Sequence, residues 1–125
     1  MIGRDAIVVK VGTGVLTRKD GTLDSASLAR LVNALADLPD QGKRVVLVSS
    51  GAVGAGISAL GLKEYPDDVS ARQAAAAVGQ TRLMHAYENL FRSFDLSVAQ
   101  LLLTAADLEN DDRRSRVSAL LGRLV

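Results

Sequence analysis

The sequence predicts an α/β fold, a mostly parallel sheet with helices on both of its faces. Three observations predict it. Two short β-branched runs, Ala6–Val11 and Val45–Val48, each lead into glycines. A segment with apolar residues at three- and four-residue spacing separates them, and further helical patterns follow. Strands separated by helices of this length pair in parallel, with the helices packed on the sheet.

Each element has its own signal. Ala6-Ile7-Val8-Val9-Lys10-Val11 reads as a buried strand that ends in a loop bearing Gly12 and Gly14. Arg18–Thr22 is polar, with Asp20-Gly21 as a turn. Leu28, Leu31, Val32, Leu35 and Leu38 form one face of an amphipathic helix, which Asp24 or Ser25 can cap and Pro39 stops. Val45-Val46-Leu47-Val48 is a second buried strand running into Ser49-Ser50-Gly51. The next helix starts within Gly51–Gly56 and reaches Leu60, and Gly61–Asp68 is a connector containing Pro66. From Val69 to about Phe94 the pattern is helical, and Ala74–Ala77 lets a neighbouring element approach closely. Leu96–Leu103 reads as a third strand. Thr104 and Asp107 have capping-box spacing and open another helical region. Val117, Leu120, Leu121, Leu124 and Val125 then form an apolar stripe that requires a surface to cover. At 125 residues, with no interior linker and no internal repeat, one domain is the expected count.

Composition narrows the function classes. Hydrophobic residues make up 48% and charged residues 23%, which excludes disorder. Fifteen Lys and Arg against 14 Asp and Glu leave a formal charge of +1, without the basic stripe of a nucleic-acid binder. Aromatics at 3% make base-stacking platforms a poor fit. Cysteine is absent and His85 is the single histidine, so thiolate zinc sites, cysteine nucleophiles and a Ser-His-Asp triad have almost nothing to build on. Lys10 and Gln100 interrupt the two most apolar runs, well short of the roughly 18 residues of a membrane span. With no export signal, the cytoplasm is the expected compartment.

In an open parallel sheet, ligands collect beyond the carboxyl ends of the strands. Two glycine-bearing segments lie there, Lys10–Gly14 and Ser49–Gly56. Glycine admits close backbone approach to an anion, and a helix N-terminus adds free N–H donors, so the pair suits a phosphate or carboxylate; tight strand-to-helix turns without a ligand are the alternative. Gly51 and Gly56 have P-loop spacing, but Ile57-Ser58 stands where Lys-Ser/Thr belongs, and neither segment reads G-x-G-x-x-G. Lys10, at the end of a buried strand, either snorkels to solvent or meets an anion whose charge it neutralises. Ser50 is either a helix cap or a hydroxyl for a small substrate. Asp107 reads as a capping residue, and His85 as a surface or partly packed side chain. Asp67-Asp68 and Asp111-Asp112 read as helix-start acids rather than a metal site, and Arg113, Arg114 and Arg116 as a solvated helix face.

Taken together, four collinear motifs resemble the amino-acid kinases. Ile7–Thr17 is similar to their opening strand and loop, and Val46–Gly56 to their second motif. Gln73–Met84 and Ala99–Thr104 are similar to the helix and third strand of the branch that phosphorylates the side-chain carboxylate of L-glutamate, at the start of proline synthesis. The likeness covers residues 5–112 and implies an amino-acid-kinase-like fold and an ATP-dependent transferase forming an acyl phosphate, with Mg²⁺ accompanying ATP. It implies that Lys10 contacts the ATP phosphates as the catalytic cation and that Ser50 contacts glutamate. Gly12 and Thr13 are then expected on the cofactor and Gly51 on the substrate, as backbone donors; no dedicated metal ligands are expected. A carboxylate is already ionised at neutral pH, so this chemistry needs no general base. Family members continue into a second half with the adenine site and another phosphate-binding lysine. Where they commonly show aromatic-x-Asn-Ala, this chain has Arg114-Ser115-Arg116-Val117. The expectation is therefore an N-terminal portion, truncated and inactive alone, that pairs with a missing second half or forms a homo-oligomer. The alternatives are a non-catalytic remnant or interaction module of the same fold, and a relative acting on another carboxylate, carbamate or phosphate. No nucleic-acid or membrane partner is expected.

Overall fold

The computed structural model describes residues 5–125. Its order is β1 (Ala6–Val11), α1 (Thr13–Leu16), α2 (Ser25–Ala36), a 3₁₀ turn (Pro39–Gln41), β2 (Arg44–Ser49), α3 (Ala52–Leu60), α4 (Val69–Arg92), α5 (Ala105–Glu109) and α6 (Asp111–Leu124). β1 and β2 pair in parallel with Ala6 opposite Arg44 and Val11 opposite Ser49. The crossover between them runs through α2, the connection that a parallel pair requires.

The sequence signals explain these bounds. Asp24 caps α2 by accepting from the Ala26 and Ser27 N–H groups at 3.1 and 3.3 Å. Pro39 opens the 3₁₀ turn after α2, and Gly42, at φ 75°, turns the chain toward β2. Asp68 caps α4 through the Ala71 N–H, and Thr104 with Asp107 closes the expected capping box at α5. The loop expected at Gly12–Gly14 is tighter than anticipated, because Thr13–Leu16 winds into one helical turn directly after β1.

The core lies where α2 and α4 meet one face of the sheet. Val11, Leu16, Leu28, Val32, Ala55, Leu83 and Tyr87 are buried together, with Val9 and Leu47 packed against them. Strand alternation puts Val8 and Lys10 on the opposite face. There Val8 is 62% exposed and Val48 48%, so among the described residues the helices cover the Val9–Val11 face.

α3 and α4 make the closest helix contact. A β-carbon on Gly56 would overlap the Ala75 backbone, and one on Gly79 would overlap the Ala52 carbonyl oxygen. The close approach expected at Ala74–Ala77 is thus made by Ala75, which is fully buried, and extended by the glycines at 56 and 79.

The third strand expected over Leu96–Leu103 does not form. The sheet among the described residues is β1–β2 alone. After α4 the chain reverses at Asp95 (φ 58°), where the Leu96 N–H donates to the Phe91 carbonyl at 3.1 Å. Leu101–Leu103 then line a shallow cleft of about 340 Å³ with Val117 and Leu120 of α6. An apolar run becomes a strand only with a ladder partner. None reaches it here, and Leu102 stays 76% exposed.

Candidate functional site

The carboxyl ends of β1 and β2 are tied together past the ladder: the Ser50 N–H donates to the Val11 carbonyl at 3.0 Å. The chain then turns into α3 through Gly51, whose φ of 110° lies in the region that favours glycine. Gly51 is the N-cap of α3 but offers no side-chain acceptor. The first-turn N–H groups at Ala52 and Val53 are therefore available to an external acceptor, at the positive end of the helix dipole.

These residues form one wall of a cavity of about 220 Å³. Thr13 and Tyr65 complete its lining alongside Ser50, Gly51 and the first turn of α3. Thr13 arrives on α1, and Tyr65 on the connector between α3 and α4. The cavity thus gathers three of the residues expected at the site, Thr13, Ser50 and Gly51.

Lys10 and Gly12 stand outside that lining. Lys10 is exposed on the sheet face opposite the core, in register with Val48, and its side chain has no ion pair or hydrogen bond among the described residues. Gly12 caps α1 at φ −82° and ψ 166°, a conformation open to any residue. A β-carbon on Gly12 or Gly14 would meet nothing within 4 Å. Among the described residues neither backbone nor packing demands glycine at these two positions.

The second glycine segment divides differently from the expectation. Gly51 alone makes the turn. A β-carbon on Gly54 would come within 2.6 Å of the Gly21 carbonyl oxygen, so Gly54, like Gly56, makes room for protein backbone rather than for an anion. The remaining candidates occupy structural places. Asp107 accepts from the Thr104 N–H at 2.8 Å and from its hydroxyl at 2.9 Å, which holds its carboxyl below the ordinary aspartate value. His85 is exposed and bonds Asn89 at 3.0 Å. Asp68 and Asp111 lie at the starts of α4 and α6. Among the described residues no group of three or more His, Asp or Glu side chains gathers to hold a metal ion.

Two residues escape the sequence reading. Tyr65 sits in a stretch that reads only as a connector; its ring packs over Gly21, where a β-carbon would lie 3.2 Å from Cδ2. Ser49 reads only as the first residue of the glycine-bearing segment after Val48, yet its hydroxyl lies 2.6 Å from the Tyr87 hydroxyl. Burial pushes the Tyr87 phenol up, and the bond to Ser49 offsets part of that rise.

The model of the amino acid kinase family matches residues 5–125. A glutamate 5-kinase of Symbiobacterium thermophilum is 49% identical over 119 residues, covering 95% of this chain and 45% of the relative. Those of Geobacter sp. strain M21 and Moorella thermoacetica are 51% and 52% identical, each with 32% of its length covered. The chain thus spans between about a third and just under half of the curated relatives it matches.

Proposed function

The chain belongs to the amino acid kinase family, and from that membership we propose that it supplies the acceptor-binding part of a glutamate 5-kinase. The reaction would join a side-chain carboxylate oxygen of L-glutamate to the γ-phosphorus of ATP and break the bond from that phosphorus to the β,γ-bridging oxygen. The products are an acyl phosphate and ADP. The observation that carries this reading is the convergence of Thr13, Ser50, Gly51 and the open first turn of α3 on one cavity at the carboxyl ends of both strands.

Each part of the site has a task that suits this transfer. The free N–H groups of α3 and the Ser50 hydroxyl are donors for the glutamate carboxylate. The open space over Gly12 and Gly14 leaves the backbone approachable by ATP phosphates. Lys10, unpaired among the described residues and next to that loop, is the cation for oxygens whose charge rises during transfer. Mg²⁺ would arrive with ATP. We assign the adenine site and a second phosphate-binding lysine to the share of the relatives' length that this chain does not cover, so residues 1–125 form the N-terminal portion of the kinase domain. A cytoplasmic enzyme of proline synthesis follows from the same reading.

Hydroxylamine converts an acyl phosphate to a stable hydroxamate. The complete polypeptide from its native source is expected to give hydroxamate from L-glutamate only when ATP and Mg²⁺ are present. Absence of ATP-dependent hydroxamate would end the kinase reading.

A further inference from the structure

We infer that Tyr87 is a positioning residue for the acceptor site, acting through Ser49 on the Ser50–Gly51 corner; the inference rests on the reading of that corner as the carboxylate-binding wall. The Ser49 hydroxyl lies 2.8 Å from the Ser50 carbonyl oxygen and 2.6 Å from the Tyr87 hydroxyl. A carbonyl oxygen only accepts, and a serine hydroxyl has one proton. Ser49 therefore donates to Ser50, and Tyr87 donates to Ser49. The result is a directed chain from the core to the corner: Tyr87 O–H to Ser49 Oγ, then Ser49 O–H to the Ser50 carbonyl.

Both ends of the chain are fixed. Tyr87 is 3% exposed, belongs to the core cluster and stacks on Phe91 with ring centroids 6.3 Å apart. The Ser50 N–H, on the peptide just before that carbonyl, is held by its bond to the Val11 carbonyl. The hydroxyl chain fixes Ser49 in one rotamer and orients the carbonyl directly before Gly51, where the backbone turns into α3. Burial raises the phenol above its ordinary value, so Tyr87 remains a proton donor throughout the neutral range. A tyrosine needed only for packing would not have to bring its hydroxyl to the end of β2.

The test uses the complete polypeptide and two readouts. Tyr87→Phe keeps the ring and removes the donor, Ser49→Ala removes both bonds, and Ser49→Thr keeps the hydroxyl. Amide hydrogen exchange at Ser50 is expected to quicken at least about 3-fold in Tyr87→Phe and about 10-fold in Ser49→Ala. Ser49→Thr should exchange like the parent, and adding Tyr87→Phe to Ser49→Ala should change little, because the chain is already broken. The KM for glutamate should rise in the same order while the KM for ATP holds. Unchanged Ser50 exchange in both Tyr87→Phe and Ser49→Ala overturns the positioning role. Faster exchange with an unmoved glutamate KM also overturns it, by separating the corner from the acceptor. A parent that forms no hydroxamate sinks the kinase reading instead, and Ser50 exchange still decides whether Tyr87 holds the corner.

Discussion

Gly79 of α4 faces the carbonyl oxygen of Ala52 of α3 with no room for a β-carbon between them. The contact sets how far the first turn of α3 stands from α4, and that turn is one wall of the cavity. Because the obstacle is backbone rather than a flexible side chain, Gly79→Ala must push the two helices apart. Overpacking of this kind costs about 1–3 kcal/mol. The midpoint of urea unfolding is expected to fall accordingly. A parental midpoint would mean that α3 and α4 are not seated this closely.

Gly51 and Gly12 should separate a glycine required by the fold from one that the fold does not require. Gly51→Ala places a side chain at φ 110°, in a buried turn beside Leu23 and Leu16, and should cost roughly 1–3 kcal/mol of stability. Gly12→Ala meets open space at an ordinary φ and should stay within about 0.5 kcal/mol of the parent. If ATP phosphates occupy the space over Gly12, that variant will instead raise the KM for ATP. Thermal unfolding and nucleotide kinetics on the two variants check both statements.

The strands, α2 and the long α4 were legible because local pattern and tertiary environment agree in them. Leu28, Val32 and Leu35 are buried as their spacing requires, and Asp24 caps as its position suggests. Leu96–Leu103 misled because periodicity reports only which side chains are apolar, whereas a strand depends on a partner distant in sequence. The glycines of Ser49–Gly56 misled for a related reason. A glycine that admits a ligand and one that admits a helix look alike until α4 is in place. That Thr13, Ser50 and Gly51 line one cavity agrees with their place beyond strand ends. Tyr65 was not, since its role depends on the left-handed turn at Gly21 lying beneath its ring.

Stability should decline on the acid side. Asp20, Asp24 and Asp107 are each held below the ordinary aspartate value of 3.8, chiefly by hydrogen bonds from Thr22, Ser27 and Thr104 respectively. A carboxyl whose folded value is depressed adds stability above its unfolded value and loses it as pH falls through the folded one. The three together predict a thermal midpoint that drops as pH is lowered below about 4. Asp20 is exposed, and Asp24 and Asp107 are only partly buried, so screening keeps the effect modest. Asp24→Asn retains a capping side chain without the charge and should flatten part of the acid decline. An acid profile identical to the parent's would show that the Asp24 bonds contribute nothing through ionisation.

Lys10 offers the cleanest separation of folding from chemistry. Its side chain is exposed and unpaired among the described residues, on the sheet face away from the core, so Lys10→Ala removes no buried contact. Stability should remain within about 0.5 kcal/mol of the parent. Phosphoryl transfer relies on positioned positive charge, and the loss of one such group typically costs on the order of 100-fold in turnover. In the complete enzyme, Lys10→Ala should therefore lower kcat by about that factor while the KM for glutamate moves little, because the proposed acceptor wall is Ser50–Gly51, which does not include Lys10. Lys10→Arg keeps the charge but replaces a compact ammonium with a planar fork, and should recover only part of the loss. Equal turnover in Lys10→Ala and parent would remove Lys10 from the reaction and leave it a solvated lysine at the end of β1.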